Sequence, residues 1–447
     1  MRAPRVEPVS DEHLREIERE VAESGTPTAR LRLAAELERR GLRDDAVATL
    51  FQALAATPQD ESVRLALGRF RGPASGEWCL PQGDARNTRR STSRGPRGEA
   101  GRILERRFLA PFEATQFTRT QDQRADAPNP VPPPLLSGTH VYYSLGRGVR
   151  RALAATADGH LIAENLGAGG WEWSANRDGQ VAWKIFTEHE SEDDSNPDRW
   201  SEPHAVIAPD ATVYGFTSFK RLRAIEPTGP VGSCRWEHRI DARVNSLALD
   251  HERGRLHVLY EYPPRLSTRD LATGSEIGAV DLSEISVATE AIVCDDGRVA
   301  CISPFGYLAI VAPGGELQAP IYRYAEKISG GWGGLAPWGE LVVVSSDPRG
   351  ATVTLFDPAS GAGRASFDAP DCRGAPAIDA DGVVYLDGGS RYVVGYDLKT
   401  HVKKFHVDRP SLWRAPDQPS SQFALRDGEL AFLEVTNEGV SLLRVGV

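Results

Sequence analysis

The stretch Ala377-Ile-Asp-Ala-Asp-Gly382, Val383-Val-Tyr-Leu386, Tyr392-Val-Val-Gly-Tyr396, Lys404-Phe-His-Val407 decides the fold. Four short apolar runs rich in Val and Tyr are separated by Asp-Gly and similar turns, which is the signature of consecutive β-hairpins. The same text recurs along the chain. Turn glycines before an apolar run stand at Gly254, Gly297, Gly339, Gly382 and Gly428, spaced 43, 42, 43 and 46 residues apart. A second marker closes a later run at Gly229, Gly274, Gly315 and Gly361, at intervals of 45, 41 and 46. Two independent markers in one phase, with four strands every ~40–50 residues, give the arithmetic of a β-propeller blade.

Units fall near 150–187, 204–240, 244–282, 290–324, 333–368, 375–407 and 421–447, which predicts a mainly β, seven-bladed β-propeller over 138–447. The last unit has room for three strands only. The apolar run Thr139–Ser144 is the expected donor of the fourth, so that an N-terminal strand closes the ring and removes an exposed edge.

Several turns carry a further pattern: Asp270-Leu-Ala-Thr-Gly274, Asp357-Pro-Ala-Ser-Gly361 and Asp397-Leu-Lys-Thr400. The units thus resemble the quinoprotein-type and WD-type propeller repeat. The resemblance implies a docking Trp in each fourth strand; Trp236 fits, whereas Val280, Phe367 and Phe405 stand in other units. The enzymes of the quinoprotein family also imply eight blades, a vicinal Cys pair and calcium-binding acids. None is recognisable here, so the resemblance supports the fold and no cofactor is expected.

Upstream of the repeat, residues 1–70 read as a small α-helical repeat module. Leu14, Ile17 and Val21 form a stripe at helical spacing; Gly25 stops that helix and Thr26-Pro27 caps the next. From 27 to 60 the chain resembles one tetratricopeptide repeat through Leu33, Ala34, Leu37, Gly41, Ala46, Leu50, Ala53 and Pro58. Such a repeat implies a groove-facing set at Leu31, Ala35 and Glu38. Residues 71–137, broken by Gly-Pro, Asn-Pro and a Pro run, read as an Arg/Pro/Gly-rich linker. Its basic run, from Arg86 to Arg107, is a candidate contact for phosphates or an acidic surface, and Ile103–Leu109 reads as a short docking helix.

The chain has 447 residues and a formal net charge of −10, which excludes a surface that is all nucleic-acid footprint. Only six of the 52 basic residues are Lys, the bias of a GC-rich genome. No apolar stretch reaches membrane-spanning length, and a cytoplasmic location is expected. The five cysteines lack short spacing and read as buried reduced thiols. Neither a phosphate-binding Gly-Lys-Ser/Thr loop, a Gly-x-Ser-x-Gly elbow nor a His-Glu-x-x-His helix is present. His251, Glu252 and His257 sit on a hairpin at the wrong spacing for a metal, and the acidic stretch Glu188–Asp198 lacks a Gly-centred ligand loop. No catalytic, cofactor or metal residue is therefore assigned. The Gly-flanked Trp171 and Trp332 are candidate partner-binding anchors beside Leu31, Ala35 and Glu38. The expectation is a non-enzymatic adaptor or scaffold of a bacterial defence or signalling assembly, binding protein partners through helices and propeller loops. The alternative is a propeller hydrolase or lyase with its site at the central channel.

Overall fold

The structure is a computed structural model that describes residues 11–58, 60–71, 91, 93–98, 101–111, 135–137, 140–142, 150–157, 160–167, 170–177, 180–188, 204–217, 220–226, 232–240, 242–285, 288–303, 305–323, 334–347, 350–388, 391–408, 423–435 and 439–447. Four helices come first: α1 (Asp11–Ser24), α2 (Pro27–Arg39), α3 (Arg43–Ala56) and α4 (Glu61–Arg71). Their punctuation follows the sequence. Thr26 Oγ1 accepts from the Ala29 N–H at 3.3 Å, Gly25 and Gly41 take φ of 60° and 79°, and Asp60 Oδ1 accepts from Val63 N–H at 3.2 Å. Ala34, Ala46 and Ala53 are buried with Leu37, Leu50 and Leu67, so small side chains line the helix contacts.

The rest of the described chain is β-structure. Strands β1 (Arg102–Pro111), β2 (Leu135–Ser137) and β3 (His140–Tyr142) precede the repeat. Six antiparallel four-stranded sheets then follow in chain order. The first holds β4 (Arg150–Ala155), β5 (Leu161–Gly167), β6 (Gly170–Arg177) and β7 (Gln180–Glu188); the second β8 (His204–Ile207), β9 (Val213–Phe216), β10 (Arg221–Glu226) and β11 (Ser233–Arg239). The third holds β12 (Val244–Asp250), β13 (Arg255–Tyr260), β14 (Arg265–Asp270) and β15 (Glu276–Asp281); the fourth β16 (Glu290–Val293), β17 (Val299–Ile302), β18 (Tyr307–Val311) and β19 (Leu317–Arg323). The fifth holds β20 (Gly334–Trp338), β21 (Glu340–Asp347), β22 (Gly350–Phe356) and β23 (Gly363–Pro370); the sixth β24 (Arg373–Ile378), β25 (Val383–Gly388), β26 (Tyr392–Asp397) and β27 (Lys403–Asp408). A further sheet joins β28 (Ala424–Arg426), β29 (Glu429–Val435) and β30 (Gly439–Gly446) to β1.

First strands of successive sheets are neighbours from β4 through β8, β12, β16 and β20 to β24, and β2 touches both β28 and β4. The sheets therefore pack face to face around a centre, a β-propeller-like arrangement in which no single sheet closes on itself. Between the sheets lie layers of Val, Leu, Ile and Ala such as Leu249, Leu256 and Val258 against Val206, Phe216 and Leu222. Gly254, Gly297, Gly339, Gly382 and Gly428, all at positive φ, turn first strands into second strands on one face. Gly274, Gly315 and Gly361 turn third into fourth on that same face.

The Asp-x-x-Thr-Gly turns explain how neighbouring sheets are fastened. Asp270 accepts from the Thr273 N–H and Oγ1–H at 2.9 Å each, and Trp236 of the preceding sheet donates Nε1–H to Leu271 O at 2.9 Å. A Cβ on Gly274 would lie 2.6 Å from the Trp236 ring. Tyr322 fills the same role against Ser360 and Gly361, and Phe367 stacks on His401 at 4.8 Å, so other aromatics serve where Trp is missing.

Closure differs from the expectation. The fourth strand of the last sheet is Arg102–Pro111, not Thr139–Ser144, and 103–109 is a strand where a docking helix was expected. The physical reason is length and charge. Three-residue β3 cannot cover eight-residue β30 and instead pairs with β2, whereas ten-residue β1 can. The charges that hid its strand character are matched across the sheet: Arg106 to Glu434 at 2.9 Å and Arg444 to Glu105 at 3.0 Å.

Ahead of β1 the chain is also built in. Ser91 N–H donates to Ile378 O, Gly428 N–H to Arg94 O, and Gly98 N–H to Lys404 O, wedging this segment between the sixth and last sheets. The helices dock on the second sheet. A Cβ on Gly68 of α4 would lie 1.5 Å from Pro209 O, and Arg64 pairs with Glu226 at 2.9 Å.

Candidate functional site

Once the phase of the repeat is fixed, the face opposite the glycine turns is where each first strand begins; β20 opens on Gly334-Leu335 and β28 on Ala424, while the other five carry polar residues at or next to their first position. Arg150 and Arg151 open β4, His204 opens β8, Asn245 and Ser246 follow the first residue of β12, Glu290 opens β16 and Arg373 opens β24. The far ends of the first strands are Ala155, Ile207, Asp250, Val293, Trp338, Ile378 and Arg426. The end of the ring where the first strands begin is taken as the candidate mouth.

Two of these side chains cross between sheets. His204 Nε2–H donates to Val244 O at 3.1 Å, and Asn245 Nδ2 donates to Ala288 O at 2.7 Å. Each polar residue thereby grips the backbone just before or at the next first strand, which fixes its position relative to its neighbour. Glu290 is 4% exposed and pairs in register with Ile302, beside the buried Ser303. An imidazole, a carboxamide and a carboxylate thus stand at or next to the start of the first strand on three consecutive sheets.

Sequence reading did not find these residues. Their signal, a polar residue opening an otherwise apolar first strand, is legible only after the units have been aligned in phase. The residues it did single out are placed as follows. Leu31 is half-buried against the helical core, Ala35 is exposed and Glu38 half-buried on α2. Trp171 lies in β6, opposite Leu166, and Trp332 lies outside the described residues. Leu31, Ala35 and Glu38, on α2, are not among the residues that open the first strands.

The basic run is partly absorbed by the fold. Arg97 pairs with Asp379 at 2.6 Å and Asp381 at 3.2 Å, and Arg94 lies 3.4 Å from Asp381; Arg86, Arg89 and Arg90 lie outside the described residues. Of the acidic stretch, Glu188 alone is described. Cys294, Cys301 and Cys372 are buried, and burial pushes the Cys301 thiol up to about 12. Cys234 is exposed, contrary to expectation, because it lies on an outermost strand.

On the opposite face, His257 is buried on β13. Burial holds its imidazole down at about 4, Nδ1 meets Thr268 Oγ1 at 3.1 Å, and Nε2 has no partner. Among the described residues, no group of three or more His, Cys, Asp or Glu is placed to hold a metal ion.

The fold is similar to that of a solved enzyme. Over 87% of this chain and 82% of the other, it matches the quinohemoprotein alcohol dehydrogenase ADHIIG from Pseudomonas putida, with a TM-score of 0.56 at 10% identity. No protein-family model matches the chain, and no curated protein matches it in sequence. At that identity the likeness establishes a quinoprotein-like propeller fold. It also corrects the functional expectation. The non-enzymatic adaptor was argued from the company the fold keeps, and a solved counterpart of this fold is a dehydrogenase, so the fold does not support that expectation.

The quinone of that family does not fit the residues present. The sequence has no vicinal cysteine pair, and the described residues offer no converging acids for the accompanying cation.

Among the described residues, no helix is long and apolar enough to cross a membrane.

Proposed function

We propose that the protein is an enzyme of the hydrolase or lyase class whose active site is the polar mouth where the first strands begin. The observation that carries this reading is the recurrence of a polar side chain at one phase of the repeat, His204, Asn245 and Glu290 on three consecutive sheets. Glu290, drawn out of water, serves as the proton acceptor from substrate. His204 is the group that returns a proton to the leaving atom, and Asn245, whose amide is anchored on Ala288 O, presents its carbonyl oxygen for orientation. Arg150 and Arg151 begin the first strand of the first sheet and Arg373 that of the sixth.

In this reading the ring has seven blades, with the hairpin β2–β3 bridging the last and first sheets. The helices are a tetratricopeptide-type unit with flanking single helices, whose α2 surface at Leu31, Ala35 and Glu38 is open to a protein partner. The four-strand topology and the buried Ala34, Ala46 and Ala53 support these assignments.

The test is turnover. Purified full-length protein is incubated with a cell-extract metabolite pool, and compounds consumed are found by mass spectrometry. Glu290→Gln and His204→Gln are expected to fold normally and to lose about 100-fold or more in rate. Consumption that persists in both variants, or no consumption by the unaltered protein, overturns the proposal.

A further inference from the structure

The outermost strand of a sheet leaves one row of backbone N–H and C=O groups without a strand partner, the place where another chain can add on. Strands β27 and β1 treat that row differently. On β27 it is covered by the chain ahead of β1: Gly98 pairs with Phe405, Gly98 N–H donates to Lys404 O at 2.8 Å, and Gly101 N–H donates to His406 O at 3.0 Å. Strand β1 ends its sheet, in the order β1-β30-β29-β28, and no described strand pairs with its outer edge. Among the described residues of the outermost strands, three large apolar side chains are exposed: Ile277 on β15, and both Leu104 and Phe108 on β1, at 39% and 59%.

Charge on β1 divides by face. Register with β30 puts Glu105 opposite Arg444 and Arg107 opposite Leu442 on one face, and Arg106 opposite Leu443 on the other. Glu105 pairs with Arg444 at 3.0 Å, and Arg106 with the buried Glu434 at 2.9 Å. Arg107 is exposed and has no ion-pair partner among the described residues. One cation is thus left over on an edge that also shows two apolar side chains.

We propose that β1 pairs antiparallel with β1 of a second copy of this chain, forming a two-fold dimer. A two-fold axis relating two edge strands stands perpendicular to the sheet and passes between one residue and its copy, because residues directly opposite must share a face. Centred on Arg106, the axis sets Glu105 opposite Arg107 of the second copy, so that twice by symmetry a carboxylate meets the leftover cation. One step further out, Leu104 meets Phe108 of the second copy. Each Arg106 brings its own Glu434, so the two guanidiniums at the axis do not meet as bare charges. Centred on Arg107 the axis would join two unpaired cations, and centred on Glu105 it would join two carboxylates and leave Arg107 facing Ile103. Like charges directly opposite are destabilising, which selects the Arg106 register. Bulges at Leu104 and Leu109 confine straight pairing to residues 105–108, so the contact is short and its affinity micromolar.

Sedimentation velocity on the full chain, from about 1 to 200 μM, reads the association. A monomer–dimer equilibrium is expected with no larger species, because a same-edge pair closes at two copies. Arg107→Glu is expected to weaken the dimer about ten-fold or more and Phe108→Ala about three-fold, while Arg107→Lys retains it. Both side chains are exposed, so melting temperatures stay unchanged. Backbone hydrogen exchange at 104–108 should slow as concentration rises in the unaltered protein and not in Arg107→Glu. A monomer throughout that range, a dimer equally tight in Arg107→Glu and Phe108→Ala, or exchange at 104–108 that ignores concentration, overturns the proposal.

Discussion

Arg97 reaches 2.6 Å from the carboxylate of Asp379, a residue with no exposed surface, and so nails the segment before β1 into the turn of the sixth sheet. Asp379 also accepts from Gly95 N–H at 2.9 Å, Val383 N–H at 2.9 Å and Tyr385 O–H at 3.1 Å. Removing the Arg97 cation leaves this buried carboxyl group with weaker compensation. Arg97→Ala is expected to lower unfolding free energy by about 2–3 kcal/mol, since the remaining donors and partial solvent access of Arg97 reduce the full cost of a broken buried pair. Urea denaturation of the two proteins measures the difference; equal midpoints would refute it.

The two turn glycines Gly361 and Gly428 separate conformational strain from steric overlap. Both have positive φ, 64° and 73°, but a Cβ on Gly361 would lie 1.8 Å from the Tyr322 ring, while one on Gly428 meets open space. Gly428→Ala should cost about 1 kcal/mol, the left-handed backbone penalty. Gly361→Ala should cost about 3 kcal/mol or more, because the aromatic latch between the fourth and fifth sheets must move. Thermal melts of both variants rank them.

His257 gives the protein an acid-side stability slope. Its folded value of about 4 lies below the ordinary value near 6.5, chiefly through burial, with Asp250 opposing and Arg255 reinforcing the shift. Between these values the unfolded chain binds more protons. The contribution is therefore intact above pH 6.5 and lost as pH falls toward 4, amounting to about 3 kcal/mol. A denaturation series from pH 7 to 4 on this chain and on His257→Gln should show a shallower slope in the variant; parallel curves would remove His257 as the cause.

The helices are held to the second sheet at a point where no side chain fits. Gly68→Val would drive a Cβ into Pro209 O, so α4 should undock while the sheets persist. Limited trypsin digestion should then release the helices from the variant faster than from the unaltered protein, with the melting of the β-structure unchanged. Co-release at one rate in both proteins would show that the close approach does not hold the junction.

Much of this architecture is legible in the residues. The Asp-Gly turns and the Asp-x-x-Thr-Gly turns act locally, through positive φ and side-chain-to-backbone bonds within five residues, so their spacing fixed the phase of the strands. The helix stops at Gly25 and Gly41 are equally local. The candidate mouth was not legible, because His204, Asn245 and Glu290 are about 40 residues apart and lack any short-range signature. Strand β1 was misread because Glu105, Arg106 and Arg107 interrupt its apolar pattern, and the charges that answer Glu105 and Arg106 lie more than 300 residues away.

The sequence by itself determined the repeat: where each strand starts, where each turn glycine falls, and that the chain must stack like units. Tertiary structure decided which strand completes the last sheet, where the helices dock, and which polar residues share a face. The division follows from range. Turn geometry is set by neighbours along the chain, whereas closure, docking and a site depend on charges and shapes that become neighbours only when the ring has formed.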